Sequence, residues 1–203
     1  MSRVAVLGAS GAVGSELVRQ ALSRGHEVVA ISRRPSLPPT ERLTPVAADV
    51  NDAAGIADAL RGSEIVLDAL GLRKGDPPGV LTAGARAVVA ARPSRAVSVG
   101  AFGTGPSAGA AGWLTRTLVE RFMKAELPDK VGADAAILGM GGTVVQVGPM
   151  KAGPISPTRR VLGIDSVPRR WFPAMVTHAT VAAAMLDAAE DGPRGEVLVA
   201  LPK

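Results

Sequence analysis

Arg3-Val4-Ala5-Val6-Leu7-Gly8-Ala9-Ser10-Gly11-Ala12-Val13-Gly14 decides how this chain folds. Val4 to Leu7 is an apolar run of the kind that forms a buried strand. It leads directly into Gly8, Gly11 and Gly14, spaced three apart, and a helical pattern follows at once at Leu17, Val18, Ala21 and Leu22. Strand, glycine turn and helix in that order form the context that the diphosphate of a dinucleotide requires. A helix N-terminus offers unpaired N–H groups and partial positive charge to such an anion. Gly8 permits the tight turn, Gly11 lets a phosphate approach the backbone, and Gly14 lets the helix pack close to the sheet. Gly8, Ser10, Gly11, Ala12 and Val13 are therefore the expected diphosphate-binding residues.

Outward from this turn, apolar strands alternate with helical patterns. Strands are expected at 3–7, 27–31, 43–48, 64–70, 95–99, 143–147 and 196–200. Helices are expected at 12–24, 52–61, 80–92, 111–124, 129–140 and 177–190. The alternation predicts an α/β fold: a Rossmann-like, doubly wound, mostly parallel sheet with helices on both faces. Several strands are near-continuous apolar runs, as strands covered on both faces are. Gly25 reads as the C-terminal glycine of the first helix, Asp52 as the N-cap of the second and Thr177 as the cap of the last. The most economical organisation of 203 residues is a single domain over 1–203. Three stretches break the pattern: 36–39, 72–79 and 150–172, the last an irregular substrate-side segment running on to 175. All follow the C-terminal ends of strands, the edge on which open α/β sheets bind ligands.

Composition narrows the chemistry. The chain has no cysteine, which excludes disulfides, thiolate catalysis and cysteine–zinc sites. Aromatic residues make up 2% and tyrosine is absent, so the core is built from Ala, Val, Leu and Ile. No apolar run approaches the roughly 18 residues of a membrane span. The N-terminal Arg3 and its apolar run mimic a signal peptide only weakly, because the glycine spacing and Glu16 and Arg19 favour a strand–turn–helix; a cytoplasmic location is expected. The net charge is +5. The basic residues are scattered or paired (Arg33-Arg34, Arg73-Lys74, Arg159-Arg160, Arg169-Arg170) and are not interleaved with aromatics. That argues against nucleic acid, and an anionic cofactor or substrate accounts for the sign equally well.

The second strand ends in Ile31-Ser32-Arg33-Arg34, where an NAD-specific domain places an acidic residue for the ribose hydroxyls. Two arginines stand there instead, and guanidinium forks suit the 2′-phosphate of NADP(H). Asp49-Val50 either meets the adenine amino group or forms a turn with Asn51 and Asp52. Asp68-Ala69-Leu70-Gly71 closes the fourth strand with small residues that let the backbone run beside ribose and phosphates, and Leu70 and Gly71 join the cofactor set. Arg73 and Lys74 either close over a phosphate or are surface charge. Val97–Gly103 ends the fifth strand and brings the nicotinamide end into view, with Gly100 as its cofactor contact. Ser98 is a hydroxyl donor or a structural mid-strand serine. His26 reads as a surface residue. His178 begins the last helix, where the N-terminus disfavours imidazolium, and is either a neutral donor or a polar first-turn residue. No His, Asp and Glu cluster has metal-ligand spacing.

Together these residues resemble the atypical short-chain dehydrogenase/reductase superfamily. The likeness is to its small NAD(P)H-binding branch, with biliverdin reductase B/flavin reductase-like and NmrA-like proteins. It covers nearly the whole chain and rests on 8–14, Arg33-Arg34, Asp49-Val50, Ala69-Leu70-Gly71, 99–102, 143–149 and the helix at 178–182. The departures bear on mechanism. Family members use a Tyr-x-x-x-Lys pair for proton transfer, whereas this chain has Phe122 and Lys124 in the corresponding region. The family's strand-end serine is matched by Gly100, with Ser98 two residues early. The resemblance thus implies hydride transfer to a small conjugated or ring-shaped acceptor, flavin-like or quinone-like, whose reduced product solvent can protonate. Phe102, Trp113, Phe122, Trp171 and Phe172 are the rings available to stack on it. Two other readings stand beside this one: a non-catalytic NADP(H) sensor, as NmrA-like proteins are, and an epimerase or isomerase of the same superfamily. The Ala- and Leu-rich helix faces leave the chain a monomer or a homodimer.

Overall fold

A computed structural model describes residues 1–73, 75–168 and 174–203. The chain runs β1 (Arg3–Leu7), α1 (Ala12–Ser23), β2 (Glu27–Ser32), β3 (Leu43–Ala47), α2 (Ala53–Leu60), β4 (Ile65–Asp68), α3 (Val80–Ala91) and β5 (Arg95–Ala101). It continues through α4 (Trp113–Phe122), α5 (Leu127–Gly139), β6 (Thr143–Val147), β7 (Met150–Lys151), β8 (Arg160–Gly163), β9 (Val176–Thr177), α6 (His178–Glu190) and β10 (Val197–Leu201). Eight strands form one sheet in the order β3-β2-β1-β4-β5-β6-β10-β8. All pairings in it are parallel except that of β10 with β8. The chain winds outward from β1 toward β3, then returns to β4 on the other side of β1. That reversal opens a crevice above the C-terminal ends of β1 and β4.

Both faces of the sheet are covered, which is why Val4 to Leu7 are all apolar and all buried. Val4, Val6, Leu67 and Val97 pack against α1 and α6 through Leu17 and Val181. On the other face Ala5, Leu7 and Val144 meet Ile56 of α2, Val88 of α3 and Ile137 of α5. The expected caps are in place. Asp52 accepts a hydrogen bond from the Gly55 N–H at 3.0 Å, Thr177 accepts from the Thr180 N–H at 3.2 Å, and Gly25 follows Arg24 with φ at +88°.

The fourth strand stops at Asp68 rather than at 70, because the Leu70 N–H turns back onto the Asp68 carboxylate at 3.0 Å. The 150–172 region is more regular than its composition suggests. Met150–Lys151 pairs with Val176–Thr177, and Arg160–Gly163 adds an antiparallel edge strand beside β10. Strands of two and four half-exposed residues carry too little apolar alternation to be read from sequence. Among the described residues no helix is long and apolar enough to cross a membrane.

Arg95, at the start of β5, ties down the end of α6. Its Nε donates to the Ala189 carbonyl at 3.1 Å, and Nη2 donates to the carbonyls of Ala188, at 2.6 Å, and Gly192. They are carbonyls of the last turn of α6 and of the turn after it, and that of Ala188 also accepts from the Gly192 N–H at 3.2 Å. Arg95→Ala should lower stability by about 2 kcal/mol in urea denaturation. Cofactor affinity should be unchanged, because the contact lies at the opposite end of the sheet from the crevice.

Candidate functional site

The crevice is a cleft of about 590 Å³. One wall is the glycine turn, with Gly8, Ser10, Gly11, Ala12 and Val13. Gly8 has φ +75°, and a Cβ there would come within 2.7 Å of the Ala69 carbonyl oxygen. Its absence lets the turn pass over the end of β4. A Cβ on Gly14 would lie 2.1 Å from the Gly8 carbonyl oxygen, so the first turn of α1 sits directly on the β1 turn. The close partner of Gly14 is thus the turn itself rather than the sheet. The Ala9 N–H donates to the Ile31 carbonyl at 3.1 Å, which fixes the turn against β2. Gly11, the N-cap of α1, supplies no side-chain acceptor, and the first turn holds no acidic residue. No side chain therefore caps the first-turn N–H groups, and Ala12 and Val13 of that turn line the cleft, while the Gly11 N–H donates to the Gly8 carbonyl at 2.8 Å.

Arg33, Arg34, Asp49, Val50, Leu70 and Gly71 line the same cleft, as does His178 at the start of α6. Arg33 Nη1 meets Asp76 Oδ1 at 2.8 Å, bridging the β2 loop and the loop after β4. Asp76 Oδ2 also accepts from the Arg73 N–H at 2.8 Å. That N–H, and then the Arg33 guanidinium, hold the Asp76 carboxyl below its usual range. Asp49 Oδ1 accepts from both the backbone N–H and the side-chain amide of Asn51, at 2.9 and 2.8 Å. The turn reading of Asp49 is therefore realised within the cleft wall.

A second cavity, of about 740 Å³, adjoins the first. Leu70, Gly71, Val99 and Met150 line both. Phe102, Leu118, Val119, Met123, Val147 and Met175 make its walls mainly apolar. Asp68, Ser98, Gly100 and Asp134 also line it, with Lys130 beside them. Burial pushes Asp68 up to about 6, against the Leu70 N–H, and the charge of Asp134 adds to the rise. Burial also raises Asp134, opposed by the hydrogen bond from Gln146 and by Lys130.

The rise at Asp68 has a consequence for stability. The folded state binds this proton more tightly than the unfolded state, whose value is near 3.8. The stabilisation is complete below that value and is lost as pH rises through about 6. One pKa unit is worth about 1.4 kcal/mol, so Asp68→Asn should gain about 3 kcal/mol on the native protein across this window. Parallel denaturation curves of the two proteins at each pH check this.

Ser98 and Gly100 thus belong to the second cavity. Lys124 lies in the exposed turn between α4 and α5 and lines neither cavity. Phe102 lines the second cavity, while Trp113 is 71% exposed and lines neither. Lys74, Arg169, Arg170, Trp171 and Phe172 lie outside the described residues, as does the side chain of Phe122. His26 is not the surface residue its position suggested. It is buried, with Nε2 at 2.9 Å from Glu190 Oε1 and Nδ1 accepting from the Ser2 N–H at 3.4 Å. The sequence reading missed Asp76, Lys130 and Asp134. For the last two a signal exists: Lys130 and Asp134 stand four apart within the 129–140 helical pattern and so share a helix face.

The description of the family whose model matches residues 8–192 is NAD(P)H-binding, and the chain belongs to that family. This bears out the expected likeness to an NAD(P)H-binding branch. A 65-residue stretch is 45% identical to an uncharacterised protein of Mycobacterium bovis, covering 32% of this chain and 8% of that protein. Another match, over 67 residues, is 42% identical to a 3-beta-hydroxysteroid dehydrogenase of Mycolicibacterium neoaurum, covering 32% of this chain and 18% of that enzyme. The chain therefore spans only a small part of the curated relatives it matches. Solved structures align over nearly the full length. A candidate NADH-flavin reductase from Streptococcus pneumoniae has a TM-score of 0.80 at 21% identity, covering 100% of both chains. A short-chain dehydrogenase/reductase from Veillonella parvula in complex with NADP gives 0.79 at 14%, covering 98% of this chain and 94% of that one. ChuY, an anaerobillin reductase from Escherichia coli O157:H7, gives 0.77 at 18%, covering 99% and 97%. At these identities the likeness is one of fold.

Proposed function

We propose that this chain is a single-domain NADP(H)-dependent oxidoreductase that passes hydride to a small conjugated acceptor, flavin-like or quinone-like, without a Tyr–Lys pair. The observation that carries this reading is the wall shared by the two cavities at Leu70, Gly71, Val99 and Met150. A dinucleotide with its diphosphate on the glycine turn would run along β4 and β5 toward that wall. A flat apolar molecule in the second cavity would then meet its nicotinamide. Hydride transfer needs that proximity more than it needs further groups on the protein. The preference for NADP(H) rests on Arg33 and Arg34, which stand on the cleft where an acidic residue would select NAD(H). Support in kind comes from the fold neighbours, one a candidate flavin reductase, one an anaerobillin reductase and one an NADP complex.

The test is turnover. The purified chain, mixed with NADPH and a panel of flavins and quinones, should consume the nicotinamide absorbance with at least one acceptor. Cofactor binding without turnover across the panel would make the protein a sensor and defeat the reductase reading.

A further inference from the structure

The floor of the apolar cavity is polar, and the sheet register explains how that arises. Leu7, Asp68, Ser98 and Val144 are successive partners across β1, β4, β5 and β6, so their side chains share the face covered by α3 and α5. Gly100 and Gln146 are partners two residues further along the same face. Asp134 reaches down from α5 onto this row. Its Oδ2 accepts from Gln146 Nε2 at 2.9 Å and lies so close to Gly100 that a Cβ there would be 2.8 Å away. Asp129, on the same helix, accepts from the Leu81 and Thr82 N–H groups at 3.1 and 2.8 Å, which seats α5 on the start of α3.

A purely structural seam does not account for these groups. Ser98 is 5% exposed and its Oγ bonds to nothing among the described residues. Asp68 is 6% exposed, and among the described residues its carboxylate accepts from the Leu70 N–H alone. Buried polar groups in a finished core are paired, and two carboxyls in one apolar pocket cannot both ionise cheaply. All three side chains belong to residues that line the acceptor cavity.

We propose that Asp68, Ser98 and Asp134 form the proton-delivery site of this cavity, acting on an uncharged acceptor with a conjugated carbonyl, of the quinone type. This rests on the reductase reading above. Ser98 Oγ donates a hydrogen bond to the acceptor's carbonyl oxygen. Bound NADPH would supply the hydride with its electron pair to the acceptor and leave as NADP+. The negative charge that develops on the acceptor oxygen takes the proton held by the carboxyl pair, giving the hydroquinone. Water then reprotonates the carboxylate. The carboxyl pair thus does the work that tyrosine would do, from the sheet and α5 rather than from a Tyr-x-x-x-Lys helix. Lys130 is the one cation among the described residues lining the cavity. Its charge acts on Asp134, and both carboxyls line the same cavity, so an anionic, phosphorylated acceptor is disfavoured.

The experiment compares two acceptors on the intact protein with NADPH. Reduction of 2-methyl-1,4-naphthoquinone consumes a proton, whereas N-methylphenazinium accepts hydride alone. Asp134→Asn, and Asp68→Asn combined with it, should lower the ratio of quinone to phenazinium turnover about 100-fold, the range of a lost general acid. Equal slowing of both acceptors, or an unchanged ratio, would overturn the inference while leaving the reductase reading intact. Should the variants not fold, the native protein still decides the matter. Its quinone turnover should fall as the carboxyl pair ionises with rising pH while phenazinium turnover stays level, and a parallel fall refutes the inference. If the native chain reduces neither acceptor, the reductase reading fails and this inference fails with it.

Discussion

Gly14→Ala should abolish detectable cofactor binding and cost about 3 kcal/mol of stability, the upper end for forced overpacking. The added methyl would sit 2.1 Å from the Gly8 carbonyl oxygen, 2.7 Å from its carbon and 2.9 Å from the Ala9 Cα. All three are backbone atoms of the turn, so no side-chain rotation relieves the clash. Either α1 moves away from the sheet or the turn opens. The first uncovers Leu17 and Val18, which α1 buries against the sheet. The second displaces the N–H groups meant for the diphosphate. Denaturant unfolding together with a binding titration separates the two losses. Full affinity in the variant would mean that the turn is not the anion site.

Arg33→Ala combined with Arg34→Ala should weaken NADPH binding about 100-fold, as expected for losing two charge-assisted hydrogen bonds, and leave NADH within about threefold. The difference arises because the cofactors differ only in the 2′-phosphate. Arg33 is engaged with Asp76, whose carboxylate is largely covered while the guanidinium stays half-exposed. A dianionic phosphate offers that guanidinium more charge than the single carboxylate does and competes for it. The gap between NADPH and NADH should narrow as salt is added. Equal loss for both cofactors would assign the arginines to general charge rather than to phosphate recognition.

The elements that a single sequence reveals here are those with strong periodicity. Each long helix and each central strand follows from apolar spacing, and the glycine turn falls at its crossover because Gly8, Gly11 and Gly14 mark a backbone geometry as well as a composition. The cleft residues were legible for the same reason, since they sit at fixed offsets from strand ends. The second cavity was not. Its floor is assembled from β4, β5 and α5, far apart in sequence, and only the parallel register sets Asp68 beside Ser98. The likeness to a Tyr–Lys helix drew attention to Lys124, in the turn before α5, whereas α5 itself carries Lys130 and Asp134 to the cavity. His26 was misjudged because its partner, Glu190, lies at the end of the last helix.

Everything proposed for this chain depends on the glycine turn holding a dinucleotide diphosphate. Isothermal titration calorimetry of the intact protein with NADPH and, separately, with NADH measures this most directly. Saturable heat at one site per chain, with NADPH the tighter ligand, is the predicted result; no heat from either cofactor would contradict it.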